Sequence, residues 1–93
     1  MKRDQVFKSV AELLSKFQTA SGIHAEVIEG TTRPIGGLDG FDSHAGLEFT
    51  CAVEQVLKVS VPLEENLCVN DKERRATSVD EIVDRVLALQ KGD

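Results

Sequence analysis

The sequence predicts a small all-α bundle of three main helices plus one short helix. A long ordered loop joins the first helix to the second. Three observations carry this. Apolar residues recur at helical spacing in three separate stretches. An S-x-x-E capping box opens the last of them. Aromatics are scarce, four Phe with no Tyr or Trp among 93 residues, so aliphatic side chains must supply the core. A chain of this length holds one domain, spanning residues 1–93, with one modest core.

The first helix is expected over roughly residues 3–18. Val6, Val10, Leu13, Leu14 and Phe17 fall on one side, and Lys2, Arg3, Asp4, Lys8, Glu12 and Lys16 on the other. Ser21-Gly22 stops it. From Gly22 to Gly40 the pattern dissolves, because Gly30, Pro34, Gly36, Gly37 and Gly40 forbid a long element. Ile23, Val27, Ile28, Ile35 and Leu38 are available to pin this loop to the core. Loops of such length in small domains are often functional.

The second helix starts at Asp42 or Ser43, either of which can cap the first turn. Phe49, Ala52, Val53, Val56 and Leu57 form its apolar stripe. His44, Leu47 and Cys51 lie on another face, with Glu48 and Glu54 beside them. Gly46 is anomalous there, since glycine costs a helix about 1 kcal/mol relative to Ala. It signals either close packing in the first turn or room for a ligand or partner. Val59 and Val61 make a short extended link to Pro62. The stretch from Leu63 to Thr77 is mixed, with room for the short helix, and Lys72, Arg74 and Arg75 form a basic spot. Ser78 and Glu81 frame the capping box, and Val79, Ile82, Val83, Val86 and Leu87 give the last stripe.

Asp42, Ser43 and His44 are the three residue types of a hydrolase triad, but consecutive helical residues diverge by about 100°. A triad must converge in space. No G-x-S-x-G elbow surrounds Ser43 either. No catalytic residue and no metal site is therefore expected, and Cys51 and Cys68 read as ordinary reduced thiols. The net charge of −5 argues against nucleic acid and favours basic protein surfaces as partners. No stretch reaches membrane-spanning length, so a soluble, monomeric, cytoplasmic protein is expected, with no membrane insertion. A serine at an exposed helix N-terminus after a glycine-rich turn is well placed to carry a phosphoester.

The stretch GFDSHAGLEFTCAVEQVLKVSVP, Gly40 to Pro62, resembles the acyl carrier protein signature. That family has G-x-D-S-L, then an acidic amphipathic helix, then an apolar-polar-apolar-proline exit. The likeness extends more loosely to the first helix and to TSVDEIVDRV near the end. It implies an acyl-carrier-like bundle whose Ser43 bears covalent 4′-phosphopantetheine. The thiol of that arm would hold an acyl group as a thioester, in fatty acid or polyketide biosynthesis. It also implies that Asp42 belongs to the motif read by a phosphopantetheinyl transferase, and that acyl-transferring or acyl-modifying enzymes are the other partners. Such a chain is not itself an enzyme.

The chain departs from the family pattern in ways that favour a specialised member. His44 stands where Leu is usual, and it reads either as an ordinary exposed surface residue or as one that lies near the expected phosphodiester and contacts it or a partner. Ala45 and Gln55 stand where acids are frequent. Leu47, Glu48, Cys51 and Glu54 are the expected partner-binding face. An aminoacyl or peptidyl carrier is the chemically similar alternative. An unmodified carrier-like interaction module is the other.

Overall fold

The computed structural model describes residues 2–20, 22, 27–38, 40–62, 65–70 and 72–91. It is mostly helical. Helix α1 spans Arg3–Ala20, a single turn α2 spans Pro34–Gly37, α3 spans Ser43–Leu57 and α4 spans Val79–Lys91. Two short strands, β1 (Val69–Asn70) and β2 (Arg75–Ala76), pair antiparallel between α3 and α4.

Helix α1 buries Val6, Val10, Leu14 and Gln18, one residue per turn along a single line. It packs against both α3 and α4. Its end at Ala20 is followed by Gly22 at φ 77, whose N–H bonds back to the Thr19 carbonyl at 3.0 Å. The core is mostly aliphatic, with Val53, Val79, Ile82, Val83 and Val86 fully buried. Phe17, Phe41 and Phe49 form its aromatic patch, each pair edge-to-face with centroids 6.1–6.4 Å apart.

The loop before α3 packs on the core where it is described. Leu38 is buried, Pro34 is buried and Ile35 is half-buried against the core. The turn α2 closes through the Leu38 N–H and the Pro34 carbonyl, 3.1 Å apart. Gly36 sits at φ 89, in the left-handed region where a side chain would strain it. Two loop carbonyls, Gly30 and Thr32, accept from the Asp80 and Val79 N–H groups at 2.9 and 2.8 Å. They satisfy donors that the start of α4 would otherwise leave orphaned. The capping box supplies the rest. Ser78 Oγ accepts from the Glu81 N–H at 3.3 Å, and Glu81 Oε1 accepts from the Ser78 N–H at 3.0 Å.

Four expectations need correction. Pro34–Gly37, inside the loop, is a tight turn with non-helical backbone at Ile35 (φ −77, ψ 118) and Gly36 (φ 89, ψ −18), and no short helix stands between α3 and α4 among the described residues. The described residues of 63–77 form the β1–β2 hairpin, so the fold is not purely α. Its turn follows from Asn70, whose side-chain oxygen accepts from the Glu73 N–H at 3.0 Å, and from Arg74 in the left-handed region at φ 54. Such a local bond competes with helix formation. Val27 does not anchor the loop, being 83% exposed, and Val56 does not join the core stripe of α3, being 54% exposed. Ile23, the other proposed anchor, lies outside the described residues.

Candidate functional site

The candidate site begins with Phe41. Its buried ring packs against Phe17 and Phe49 and fixes the backbone one residue before Asp42. Asp42 is the N-cap of α3, in extended conformation, and its carboxylate accepts from the Ala45 N–H at 2.9 Å. The Asp42 carbonyl accepts the first intrahelical bond, from the Gly46 N–H at 3.0 Å. Ser43 is therefore the first helical residue and not the cap. It is exposed.

His44 is also exposed, and its Nε2 stands 3.0 Å from Glu48 Oε1, one turn along α3. The pair lies on the helix surface beside Leu47, which is 45% exposed, and Cys51, which is exposed. Three residues of the expected face, Leu47, Glu48 and Cys51, are exposed and follow His44 at i+3, i+4 and i+7 along one side of α3. Glu54 stands apart from it. Its Oε2 accepts from the Val61 N–H at 2.9 Å, so it fastens the chain after α3. That bond compensates a strained exit, for Lys58 takes the left-handed C-cap conformation at φ 54 without being glycine.

Two residues that sequence reasoning passed over hold the site from behind. The Asn66 Nδ2 donates to the Ser43 carbonyl at 2.9 Å, and its Oδ1 accepts from the Cys68 N–H at 2.9 Å. The Thr50 hydroxyl, buried, donates to the Gly46 carbonyl at 2.8 Å and accepts from the Leu67 N–H at 3.0 Å. The segment 66–68 is thereby bound along the first two turns of α3. Thr77 continues the chain of bonds, its hydroxyl donating to the Leu67 carbonyl at 2.7 Å. The anomalous Gly46 was the signal for this contact. A Cβ built on it would lie 2.7 Å from Asn66 Oδ1 and 2.9 Å from Nδ2.

Several charged side chains of the hairpin, the loop and α4 are tied up by pairing. Glu81 receives a bidentate contact from Arg75, at 2.6 and 2.8 Å, and Arg33 lies 3.6 Å away. That contact, with the Ser78 N–H, holds the Glu81 carboxyl down at about 2. Arg75 also contacts Glu73, so this one cation of the basic spot is engaged with two carboxylates, while Lys72 and Arg74 are exposed. Arg85 pairs with Glu65 at 2.7 Å and lowers its pKa. The Cys68 thiol is pushed up to about 12 by burial, which removes its nucleophilic form at neutral pH. Among the described residues, no group of three or more His, Cys, Asp or Glu is placed to hold a metal ion. No described helix is long and apolar enough to cross a membrane.

No family model matches this chain, and neither does any curated protein or any solved structure.

Proposed function

We propose that this chain is a discrete acyl carrier in which Ser43 is the attachment point for 4′-phosphopantetheine. One observation carries the reading. Ser43 is exposed at the first position of a long helix, immediately after a capping aspartate, in an Asp-Ser pair like that of the carrier family.

The residues present fit the group. Ser43 projects from a surface and not from a packed core, and nothing in the cap requires its hydroxyl. Phe41 and Asp42 hold the turn, so the serine is presented on a rigid element. When bound, the arm supplies a thiol that carries cargo as a thioester. Tethering then makes successive encounters with partner enzymes effectively intramolecular. The exposed strip of His44, Leu47, Glu48 and Cys51 is the surface offered to those partners, apolar at its centre and acidic at its edge. Weak, fast electrostatic docking onto basic patches suits such a surface.

The test is modification. The protein is incubated with coenzyme A and a broad-specificity phosphopantetheinyl transferase, then weighed intact. The Ser43 hydroxyl loses its proton as the new phosphodiester forms, and adenosine 3′,5′-bisphosphate leaves. Wild type gains one phosphopantetheine and Ser43→Ala gains none. A gain in the Ala variant overturns the assignment of Ser43. An unmodified wild type overturns the carrier reading in favour of an interaction module. Loading of the modified protein by an amino-acid-activating enzyme, with none by an acyl-activating one, turns the reading to an aminoacyl carrier.

A further inference from the structure

We infer that Asn66 is a positioning residue for the modification of Ser43, and that Gly46 is glycine in order to admit it. The inference rests on the carrier reading of Ser43. The carboxamide of Asn66 bridges two backbones. Its Nδ2 donates to the Ser43 carbonyl and its Oδ1 accepts from the Cys68 N–H, both at 2.9 Å. This orientation is fixed by its partners, since the reversed amide would set oxygen against a carbonyl and nitrogen against an N–H.

The Ser43 carbonyl belongs to the residue that reacts, so the bond acts on the peptide unit that leads into His44. Asp42 holds the same turn from the other side through the Ala45 N–H. Asp42 and Asn66 together fix both the N–H and the C=O side of the first turn of α3. Without Asn66 the turn keeps its cap but loses its tie to the segment 66–68. Thr50 still anchors that segment one turn further along, through the Leu67 N–H. Loss of Asn66 therefore loosens the reacting end of the helix specifically, while the fold retains its second fastening.

Gly46 completes the arrangement. It is buried, and a methyl group there would meet the Asn66 carboxamide at 2.7 and 2.9 Å, closer than side chains approach. A carboxamide end can swing away, but doing so breaks both of its hydrogen bonds. Alanine at position 46 would raise helix propensity and still displace Asn66. Two substitutions on different elements thus remove one interaction.

The experiment compares transferase kinetics on wild type, Asn66→Ala, Asn66→Asp, Gly46→Ala and the double variant Gly46→Ala/Asn66→Ala. Each protein's unfolding midpoint is measured alongside. Each single variant is expected to lower kcat/KM for the carrier by about tenfold, mainly through kcat, because small misplacement of a reacting group is costly. The KM for coenzyme A should not change. Asn66→Asp keeps an acceptor for Cys68 and loses the donor to Ser43, so it should resemble Asn66→Ala. The double variant should lose no more than either single one, since Gly46 acts only by making room for Asn66.

Rates within about twofold of wild type in the single variants overturn the inference. Losses that multiply in the double variant overturn the role given to Gly46. Should Asn66→Ala unfold, Gly46→Ala carries the comparison. A wild type that is never modified overturns the carrier reading and this inference with it. A modified wild type with indifferent variants overturns this inference alone.

Discussion

The Val79 N–H donates to the Thr32 carbonyl at 2.8 Å, so the last helix begins on the loop that precedes the candidate serine. The bond ties three parts of the chain together. The loop caps α4, α4 fills the core beneath α1, and the loop's far end runs through Leu38 and Phe41 to Asp42. A segment rich in glycine thus acts as a strut. Its hydrogen-bond acceptors are matched to donors that a helix start must satisfy somewhere.

Leu38 is the side chain that holds this strut down, at 5% exposure. Leu38→Ala should lower stability by about 2 kcal/mol or more, as truncations of buried leucine do. Denaturant unfolding measures the loss. In the same variant the Val79 and Asp80 amides should exchange faster with solvent, because their acceptors lie on the loosened loop. Unchanged stability together with fast exchange of the described loop amides in wild type would mean that the loop is a tether.

Asp42 caps α3, and under the proposed function a transferase also reads it. Asn caps about as well as Asp, whereas Ala costs about 1 kcal/mol. Asp42→Asn should therefore retain stability, and Asp42→Ala should lose it. If the carboxylate's charge matters to the transferase, both variants are modified slowly. Full modification of Asp42→Asn would assign this residue to the fold alone.

The first turn of α3 was legible in the sequence because its chemistry is local. A capping aspartate, a serine and an intruding glycine all announce themselves within five residues. The α4 start was legible for the same reason, through Ser78 and Glu81. The partner of Gly46 was not. Asn66 stands twenty residues on, and its role depends on how the chain returns over α3 after Pro62. The hairpin was missed because two-residue strands leave no periodic trace. Its turn rests on the bond from the Glu73 N–H to Asn70 and on Arg74 in the left-handed region. Val56 was misplaced because its helical spacing matches a stripe wider than the face that α1 covers.

Glu48 and Glu54 look alike in the sequence and differ in the structure. Glu48 is exposed and meets His44 on the helix surface. Glu48→Lys should change stability by less than about 0.5 kcal/mol, as surface substitutions do. Under the proposed function it should raise the KM of a basic partner enzyme for this protein. Glu54→Lys removes the acceptor of the Val61 N–H and should cost about 1 kcal/mol or more. Equal stability of the two variants would contradict the structural role of Glu54. Unaltered partner kinetics in Glu48→Lys would remove this strip as the docking surface.

Glu81 should set part of the acid sensitivity of the fold. Its carboxyl is held at about 2, chiefly by the hydrogen bonds from Arg75 and then by the Ser78 N–H. An unfolded glutamate titrates near about 4.3. A depressed carboxyl contributes stability that is complete above the unfolded value and is lost as pH falls through the folded one. Glu81→Gln isolates the charge, because Gln can still close the capping box. The variant should be less stable than wild type at pH 7. The gap should narrow as the pH falls from about 4.3 towards 2 and close near the lower limit, where wild type is itself neutral at this position. Glu65, lowered by Arg85, adds acid sensitivity of the same sign to both proteins and drops out of the difference. Urea unfolding across that range measures the gap. A difference that stays constant from pH 7 to pH 2 would show that Arg75 contributes packing at this site and that its charge pairing with Glu81 is without effect.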